Sequence, residues 1–304
     1  METCRSCGCK GIRTCLLCEE KYNIRKCTNL NEKNGTYTYC PFCEKCFINW
    51  NIQNFNIHSE HDDNFVEFPG IYIKLDFLTM EEEKHLLEGI NSMPWQLSQS
   101  GRRKQNFGPK CNFNKRKIQP GNFIGFPAFS KFVQEKFSSI EMLKNYQTIE
   151  QCSLEYDSSR GASIDPHIDD CWIWGERIVT VNLLADTTLT MTYNQKPSKY
   201  NLDLVSTYPS VLDEKGLFSH DKKEFVVQYD NIKSWPVVRI PLPRRSLLLM
   251  YGKARYEWEH QILREDIVEK RVCLAYREFT PPFLEGGDSY KYGKPILDIA
   301  QKFF

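Results

Sequence analysis

No run in the 304-residue chain approaches the ~18 consecutive apolar residues that a membrane-spanning helix requires. The first residues, METCRSCGCK, lack the apolar core of a secretory signal peptide. A formal net charge of only +1 gives no global field that would draw the protein to nucleic acid or to a membrane, so any basic recognition surface must be local. We therefore expect a globular protein of the reducing cytoplasm or nucleus, without a membrane partner.

Histidine is scarce, with six residues, whereas cysteine is abundant and unevenly distributed. Nine of the thirteen cysteines lie within the first 46 residues, and in a reducing compartment they indicate metal ligands or buried thiols rather than disulfides. A polar, asparagine-rich stretch follows and ends near residue 64. This change in composition predicts a cysteine-rich segment over residues 1–64 and one globular domain over residues 65–304.

The segment CGCKGIRTCLLC contains four closely spaced cysteines: Cys7, Cys9, Cys15 and Cys18. Four thiolates on two tight turns can complete the tetrahedral shell of a zinc ion, and the ion could order a segment too small for a core of its own. Cys4 is an alternative ligand, and free surface cysteines are the alternative interpretation. The density of cysteines favours zinc.

A second group of candidate zinc ligands lies further along the chain: Cys43, Cys46, His58 and His61. Their order nearly matches that of a two-cysteine, two-histidine finger, but the loop is one residue short and the histidines are closer together than usual. The pattern leaves open whether a second zinc ion binds there. Neither group is accompanied by a continuous basic helix, so we do not expect this segment to read DNA.

The rest of the chain is rich in short, β-favouring segments. Residues 65–78 predict two strands, Thr79 and Glu82 predict the capping box of a helix, and a second helix is expected near 129–144. Further strands are predicted at 151–157, 177–184, 188–193, 237–243, 246–252 and 271–279. This pattern indicates a mainly β protein with flanking helices, of the jelly-roll type. The polar residues 194–236 interrupt the strands and predict a surface insertion.

The run IDPHIDD places a histidine and a carboxylate two residues apart. His167 and Asp169 would project from the same face of a strand, although such a pair alone is also typical of a solvated turn. His260 follows the late strand predicted at 246–252. Two histidines and one carboxylate form the facial triad of non-haem Fe(II) oxygenases, which leaves coordination positions open for a chelating co-substrate and O2. We therefore take these three residues as candidate iron ligands at a catalytic centre.

The segment RVCLAYR supplies two arginines on one strand face. Arg271 and Arg277 are six residues apart, or roughly 20 Å along a strand. Guanidinium groups bind carboxylates through paired hydrogen bonds, so two arginine side chains and a five-carbon dicarboxylate could span that distance. Surface arginines on an edge strand are the alternative, but beside a candidate iron triad the pattern favours 2-oxoglutarate.

In this order, HIDD, YEWEHQI and RVCLAYR resemble the AlkB-type Fe(II)/2-oxoglutarate dioxygenases. The resemblance extends over about residues 65–304 and is most specific over 151–279. It implies a double-stranded β-helix and oxidative N-demethylation with O2 and release of formaldehyde. The site residues that it implies are His167, Asp169 and His260 for Fe(II), and Arg271, Arg277 and Tyr156 for 2-oxoglutarate.

The sequence departs from the family at two positions. Cys273 and Leu154 stand where the family often has asparagine. Both changes remove polar contacts to the co-substrate that the family pattern implies.

The segment 95–120 is the substrate lid that the resemblance implies. It includes the basic residues Arg102, Arg103 and Lys104, which could hold phosphates or an acidic protein surface. A solvated charged loop is the alternative.

Aromatic and acidic residues beside the triad are further substrate candidates. If Trp172 and Trp174 lie on a strand, they share one face, where their rings could hold a methylammonium group or simply pack in the core. Asp170 could bind a methylated amine or form a surface salt bridge.

The resemblance favours methylated lysine on a protein such as actin as the substrate. N6-methyladenine in DNA is the second candidate, and the low net charge slightly favours a protein. A third hypothesis is a zinc-headed interaction protein with incidental catalysis. The sequence does not determine the oligomeric state.

Overall fold

The computed structural model describes residues 5–24, 35–48, 50–58, 61, 64–196, 198–219 and 236–304. Cys4 lies outside these residues, as do Pro197 and residues 220–235 of the predicted insertion. Within the described part of the chain, strands predominate, and no helix is both long and apolar enough to cross a membrane.

Sixteen strands and five α-helices make up the described structure. The strands are β1 (Thr36–Cys40), β2 (Lys45–Ile48), β3 (Phe65–Glu67), β4 (Ile71–Lys74), β5 (Gln96–Leu97), β6 (Arg103–Phe107), β7 (Lys110–Asn112), β8 (Lys117–Gln119), β9 (Glu150–Tyr156), β10 (Ile164–His167), β11 (Trp174–Leu183), β12 (Thr187–Tyr193), β13 (Val237–Leu242), β14 (Leu247–Met250), β15 (Trp258–Ile262) and β16 (Arg271–Phe279). The helices are α1 (Leu16–Tyr22), α2 (Met80–Ser92), α3 (Lys131–Lys136), α4 (Gly252–Tyr256) and α5 (Tyr290–Ile299).

Fourteen of the strands form two seven-stranded sheets. The first sheet has the order β10-β15-β12-β13-β1-β2-β3, and the second has the order β4-β14-β11-β16-β9-β6-β5. Strands β7 and β8 form a separate hairpin. All the pairings are antiparallel except that of β1 with β13. The prediction of a mainly β, jelly-roll protein is confirmed.

The alternation of side chains along β11 and β16 determines where the functional site lies. On one face of the second sheet, Val181, Leu274 and Tyr276 are buried in a cluster that includes Leu86 and Ile90 of α2. The intervening residues point to the opposite face, toward the first sheet, and line a cavity. The helix therefore covers one face of the sheet and leaves the other for the site.

Helix α2 begins where the sequence predicts. The Thr79 side chain accepts a hydrogen bond from the backbone N–H of Glu82, and the Glu82 side chain accepts one from the N–H of Thr79. The second predicted helix is shorter than expected, since α3 gives way to 3-10 turns after Lys136. The hydroxyls of Ser138 and Ser139 donate to main-chain carbonyls three residues back, a contact that competes with regular helix geometry.

The sheets extend across the segments predicted from composition. Strands β1 and β2 precede residue 65, yet β1 pairs with β13 and joins the first sheet. Strand β6 lies within the segment 95–120, yet it pairs along its length with β9. The change in composition near residue 64 marks the end of the candidate metal ligands. It does not mark the edge of a separate structural unit, because the first sheet includes strands from both sides of it.

The insertion at 194–236 is packed against the body where it is described. Leu202, Val205 and Leu212 are buried. The buried carboxylate of Glu176 accepts hydrogen bonds from the main-chain N–H groups of Val211, at 2.6 Å, and Leu212, at 3.4 Å. A buried anchor of this kind fixes the insertion to the start of β11.

Replacing Glu176 with glutamine is expected to reduce the pH dependence of stability. Burial raises the pKa of Glu176 from 4.5 to about 7. Between these two pKa values, the folded protein binds a proton that the unfolded chain has released. The free energy of unfolding therefore falls as pH rises from 4.5 to about 7, by on the order of 1–3 kcal/mol. Relative to wild type, Glu176→Gln should gain stability between about pH 5 and pH 8 in urea titrations.

The exposed Glu135 provides a control, because Glu135→Gln should follow the wild-type pH dependence. Parallel curves for wild type and Glu176→Gln would contradict the assigned role of Glu176.

Candidate active site and metal sites

Two histidines meet where β10 pairs with β15. His167 and His260 are cross-strand partners in the antiparallel register, and their ring centroids are 4.2 Å apart. Asp169 follows β10 by two residues and lines the same cavity. His167 and His260 are 93 positions apart in the sequence, yet the fold brings both of them and Asp169 to one cavity.

The environment favours neutral histidines. The Nδ1 atom of His167 lies 2.8 Å from the carbonyl oxygen of Asp165, so it is the donor and Nε2 is left as the ligand atom. Burial lowers the pKa of both His167 and His260, and the neighbouring His167 lowers that of His260 further. Neutral imidazole is the form that binds metal ions.

Asp169 is a buried, ionised carboxylate. Burial by itself would raise its pKa, but the surrounding charges, of which Arg277 contributes most, together hold the pKa of Asp169 well below its ordinary value. Arg277 donates to Oδ1 at 2.9 Å. The other oxygen, Oδ2, is buried and has no hydrogen-bond partner among the described residues. An orphaned anionic oxygen beside two neutral histidines fits the ligand set of a divalent metal ion.

The cavity at this site is bounded by the arginine face of β16. Arg271, Cys273, Ala275 and Arg277 all line it, as the spacing of two residues predicts. The cavity is otherwise largely apolar, and the side chains that contribute to this lining are Ile164, Ile178, Leu189, Leu248, Met250 and Ile262. Apart from the candidate ligands and the arginines, this lining offers few polar groups to hold water.

Arg271 is buried at the end of the cavity away from Asp169. Its Nε donates to Oδ1 of Asn182 at 2.7 Å, and its guanidinium lies 4.8 Å from the centroid of the Tyr156 ring. The terminal nitrogens have no further hydrogen bond within the described part of the chain. They are therefore available to a carboxylate in the cavity.

Arg277 has a different environment from Arg271. Besides Asp169, it pairs with Glu150 at 2.6 Å, and it lies 5.7 Å from the ring centroid of Trp174. The sequence predicts both arginines as co-substrate ligands. The structure places Arg277 in the lining of the same cavity, in contact with the candidate iron ligand Asp169.

Sequence reasoning missed Asn182. It lies opposite Cys273 in the β11–β16 register, and its amide also donates to the carbonyls of Ala185 and Leu242. Cys273 and Leu154, where the family often has asparagine, are themselves cross-strand partners and line the cavity. A lone asparagine in the apolar run VTVNLL was the available signal.

The three basic residues predicted to hold substrate occupy different environments. Arg102 lies 5.8 Å from the ring centroid of Tyr156, close to the cavity. Arg103 instead forms a two-pronged ion pair with Glu155 across the β6–β9 pairing. Lys104 is on β6, opposite Leu154. The pairing of β6 with β9 thus places Arg103 in an ion pair with Glu155 rather than leaving its side chain free for a substrate.

The tryptophan prediction is corrected. Residues 171–173 form a turn rather than a strand, closed by the hydrogen bond from Trp174 N–H to the carbonyl oxygen of Asp170. Trp172 and Trp174 are both buried. Trp172 packs edge-on against Phe113. Their burial favours the core alternative, and the turn breaks the alternation that would have placed them on one strand face.

Asp170 also has a role within the protein. One carboxylate oxygen accepts hydrogen bonds from the side-chain amide of Asn201 and from the main-chain N–H of Trp172. These contacts fix the turn that follows Asp169. The sequence predicts Asp170 as a substrate residue. Its contacts with Asn201 and Trp172 offer a structural role as the alternative.

The four cysteines of the first predicted metal site do come together. The sulfur atoms of Cys7, Cys9, Cys15 and Cys18 all lie within 4.8 Å of one another. Burial raises the pKa of Cys18, but hydrogen bonds from Arg5 and from the neighbouring cysteines together lower this pKa to about 7. A compact set with a readily formed thiolate can bind a metal ion.

The second metal cluster differs from the prediction at one ligand. The compact set is Cys40, Cys43, His58 and His61. Cys46 is not in it, because Cys46 pairs with Tyr39 across the β1–β2 hairpin and both are buried in the main core. Cys40 alternates with Tyr39 and projects from the opposite face. These are the two groups in the described part of the chain whose ligand atoms all lie within 4.8 Å of one another. The atoms of His167, Asp169 and His260 are spaced more widely than that.

Comparison with known proteins gives full-length relatives. The chain is 39% identical over 303 residues to the human alpha-ketoglutarate-dependent dioxygenase alkB homolog 4, which covers 99% of this chain and 95% of that protein. It is 31% identical over 313 residues to the DNA N6-methyl adenine demethylase of Caenorhabditis elegans, with 97% and 94% covered. A solved structure of OsALKBH1 matches with a TM-score of 0.42 and 13% identity, over 70% of this chain and 98% of that one. No protein-family model matches.

Alpha-ketoglutarate is 2-oxoglutarate, so the relatives agree with the resemblance that the motifs HIDD, YEWEHQI and RVCLAYR indicate. The prediction of an Fe(II)- and 2-oxoglutarate-dependent dioxygenase is confirmed, with O2 as the oxidant. On the strength of these full-length matches, the chain belongs to the AlkB family of alpha-ketoglutarate-dependent dioxygenases.

Proposed function

We propose that the protein catalyses oxidative N-demethylation at a centre where His167, Asp169 and His260 hold Fe(II). The observation that supports this proposal most directly is the buried Oδ2 of Asp169, which has no hydrogen-bond partner among the described residues. It lies on a carboxylate that is kept ionised beside two neutral imidazoles. Fe(II) binding would satisfy this oxygen.

When bound by these three residues, iron with 2-oxoglutarate and O2 would supply the oxidising power for hydroxylation of an N-methyl group, which is then lost as formaldehyde. The protein contributes position and environment. Arg271 binds the distal carboxylate of 2-oxoglutarate, with Tyr156 against its guanidinium. Arg277 keeps Asp169 ionised and oriented, and the apolar lining keeps the cavity dry.

For the substrate, we propose a methylated lysine on an acidic protein surface such as that of actin. The low net charge favours a protein over a duplex, because duplex-binding domains are usually basic overall. Methylated DNA is the second candidate, because the C. elegans relative is named as a DNA N6-methyl adenine demethylase.

Formaldehyde release distinguishes these substrates. Iron-loaded protein with 2-oxoglutarate should release formaldehyde from methyl-lysine peptides, and His167→Ala should abolish this release while leaving the zinc content unchanged. Release from N6-methyladenine oligonucleotides alone would reverse the substrate assignment. If partner binding survives His167→Ala and no substrate yields formaldehyde, the protein is instead an interaction module.

Replacing Arg271 with methionine is expected to weaken 2-oxoglutarate binding about 10²-fold, because one or two charge-assisted hydrogen bonds to a carboxylate are lost. Calorimetric titration of the anaerobic, iron-loaded protein measures this directly. Lys270→Met is the matched control, since Lys270 is adjacent but its side chain is half-exposed and pairs with Asp157. Equal affinities for Arg271→Met and wild type would disprove the assignment.

We propose that both cysteine-containing clusters bind zinc, because four sulfur or imidazole ligands in a closed set are typical of structural zinc sites. Native mass spectrometry should find one ion per cluster. Cys40→Ser should lose one of them, whereas Cys46→Ala should keep both. Zinc loss from Cys46→Ala but not from Cys40→Ser would favour the ligand set read from the sequence.

A further inference from the structure

The first part of the insertion lies directly behind the turn that carries Asp169. Ile168 and Cys171 are buried in a small apolar cluster with Leu202 and Val205 of the insertion and Tyr256 of α4. Ile168 is the residue between His167 and Asp169. The insertion thus packs against the back of the segment whose front faces the cavity.

Hydrogen bonds join the same two segments. The carbonyl oxygen of Tyr200 accepts from the main-chain N–H of Cys171 at 2.8 Å. The side-chain amide of Asn201 donates to Oδ1 of Asp170 at 2.5 Å. One contact fixes the main chain and the other fixes a side chain, both within two residues of Asp169.

The insertion also reaches the strand that carries His260. The hydroxyl of Tyr200 donates to Oε1 of Glu259 at 2.6 Å, and Lys199 lies 3.8 Å from the same oxygen. Glu259 precedes His260 on β15. Residues 199–202 therefore contact the elements that carry two different members of the triad.

The backbone of this segment has an uncommon conformation. Tyr200 and Asn201 are consecutive residues in the left-handed region, with φ of 63° and 56°. Asparagine accepts this conformation readily, but a bulky tyrosine does so rarely. Such a conformation persists where the surrounding contacts determine it, and here those contacts are with Asp170, Cys171 and Glu259.

We propose that residues 199–202 act as a clamp that positions the iron ligands, with Asn201 and Tyr200 as its positioning residues. This inference rests on the iron site proposed above. Groups that orient metal ligands from behind typically change metal affinity by 10–100-fold when they are removed. The clamp acts through the Asp169 turn, so its effect belongs near the lower end of that range.

The test is an anaerobic titration of the zinc-loaded, full-length protein with Fe(II) at saturating 2-oxoglutarate. The visible charge-transfer band of a 2-oxo acid chelated to Fe(II) reports occupancy of the triad without turnover. Asn201→Gly keeps the backbone conformation and removes the donor, and it should weaken Fe(II) binding about tenfold. Asn201→Asp has the same shape but places a carboxylate against Asp170, and it should weaken binding further.

Asp213→Ala is the control within the insertion. Asp213 caps the main-chain N–H groups of Lys215 and Leu217 and does not contact the Asp169 turn. Its Fe(II) titration should match wild type, even if its urea midpoint falls as far as that of Asn201→Gly.

Two results would overturn the clamp. One is a wild-type titration curve for both Asn201 variants. The other is equal weakening in Asn201→Gly and Asp213→Ala, which would mean that general loosening of the insertion is responsible. If wild-type protein itself shows no band, the iron site of the proposed function fails and the clamp fails with it.

Discussion

A buried ion pair connects the two sheets at the functional site. Arg277 belongs to the second sheet, and Asp169 follows a strand of the first. Their contact at 2.9 Å is the largest of the charge interactions that oppose burial and lower the pKa of Asp169. The ionised carboxylate is the form that binds a divalent ion, and the arginine also orients it. The geometry of the triad thus depends on a residue outside it.

The cysteine-rich segment is tied to the same region of the body. Arg13 lies 3.6 Å from the carboxylate of Asp165, whose carbonyl oxygen orients His167. Arg13 also donates to the side chain of Gln99. Arg264 pairs with Glu19 of α1. These contacts brace β10 from the side of the cysteine-rich segment, and a metal ion that ordered this segment would also steady β10.

The strands were the most predictable part of the fold. The segment 271–279 was predicted with the bounds that β16 has, because a period of two is visible in RVCLAYREF. The shared cavity face of Arg271 and Arg277 follows from the same period. The tryptophans were misplaced because a turn, closed by one main-chain hydrogen bond, interrupts the period at 171–173. Cys40 was missed because the prediction used only the number of residues between candidate ligands. Which cysteine can reach the histidines depends instead on the face of the hairpin from which its side chain projects.

The sequence by itself determined the residue types and their order: two histidines, a carboxylate, two arginines, and cysteines in pairs. These side chains are of the types that can bind iron, dicarboxylates and zinc. Only the tertiary structure decided the partners: Asp169 with Arg277, Arg271 with Asn182, and the insertion with the Asp169 turn. Those pairings join residues distant along the chain, and they arise from strand register and burial, which no local pattern encodes.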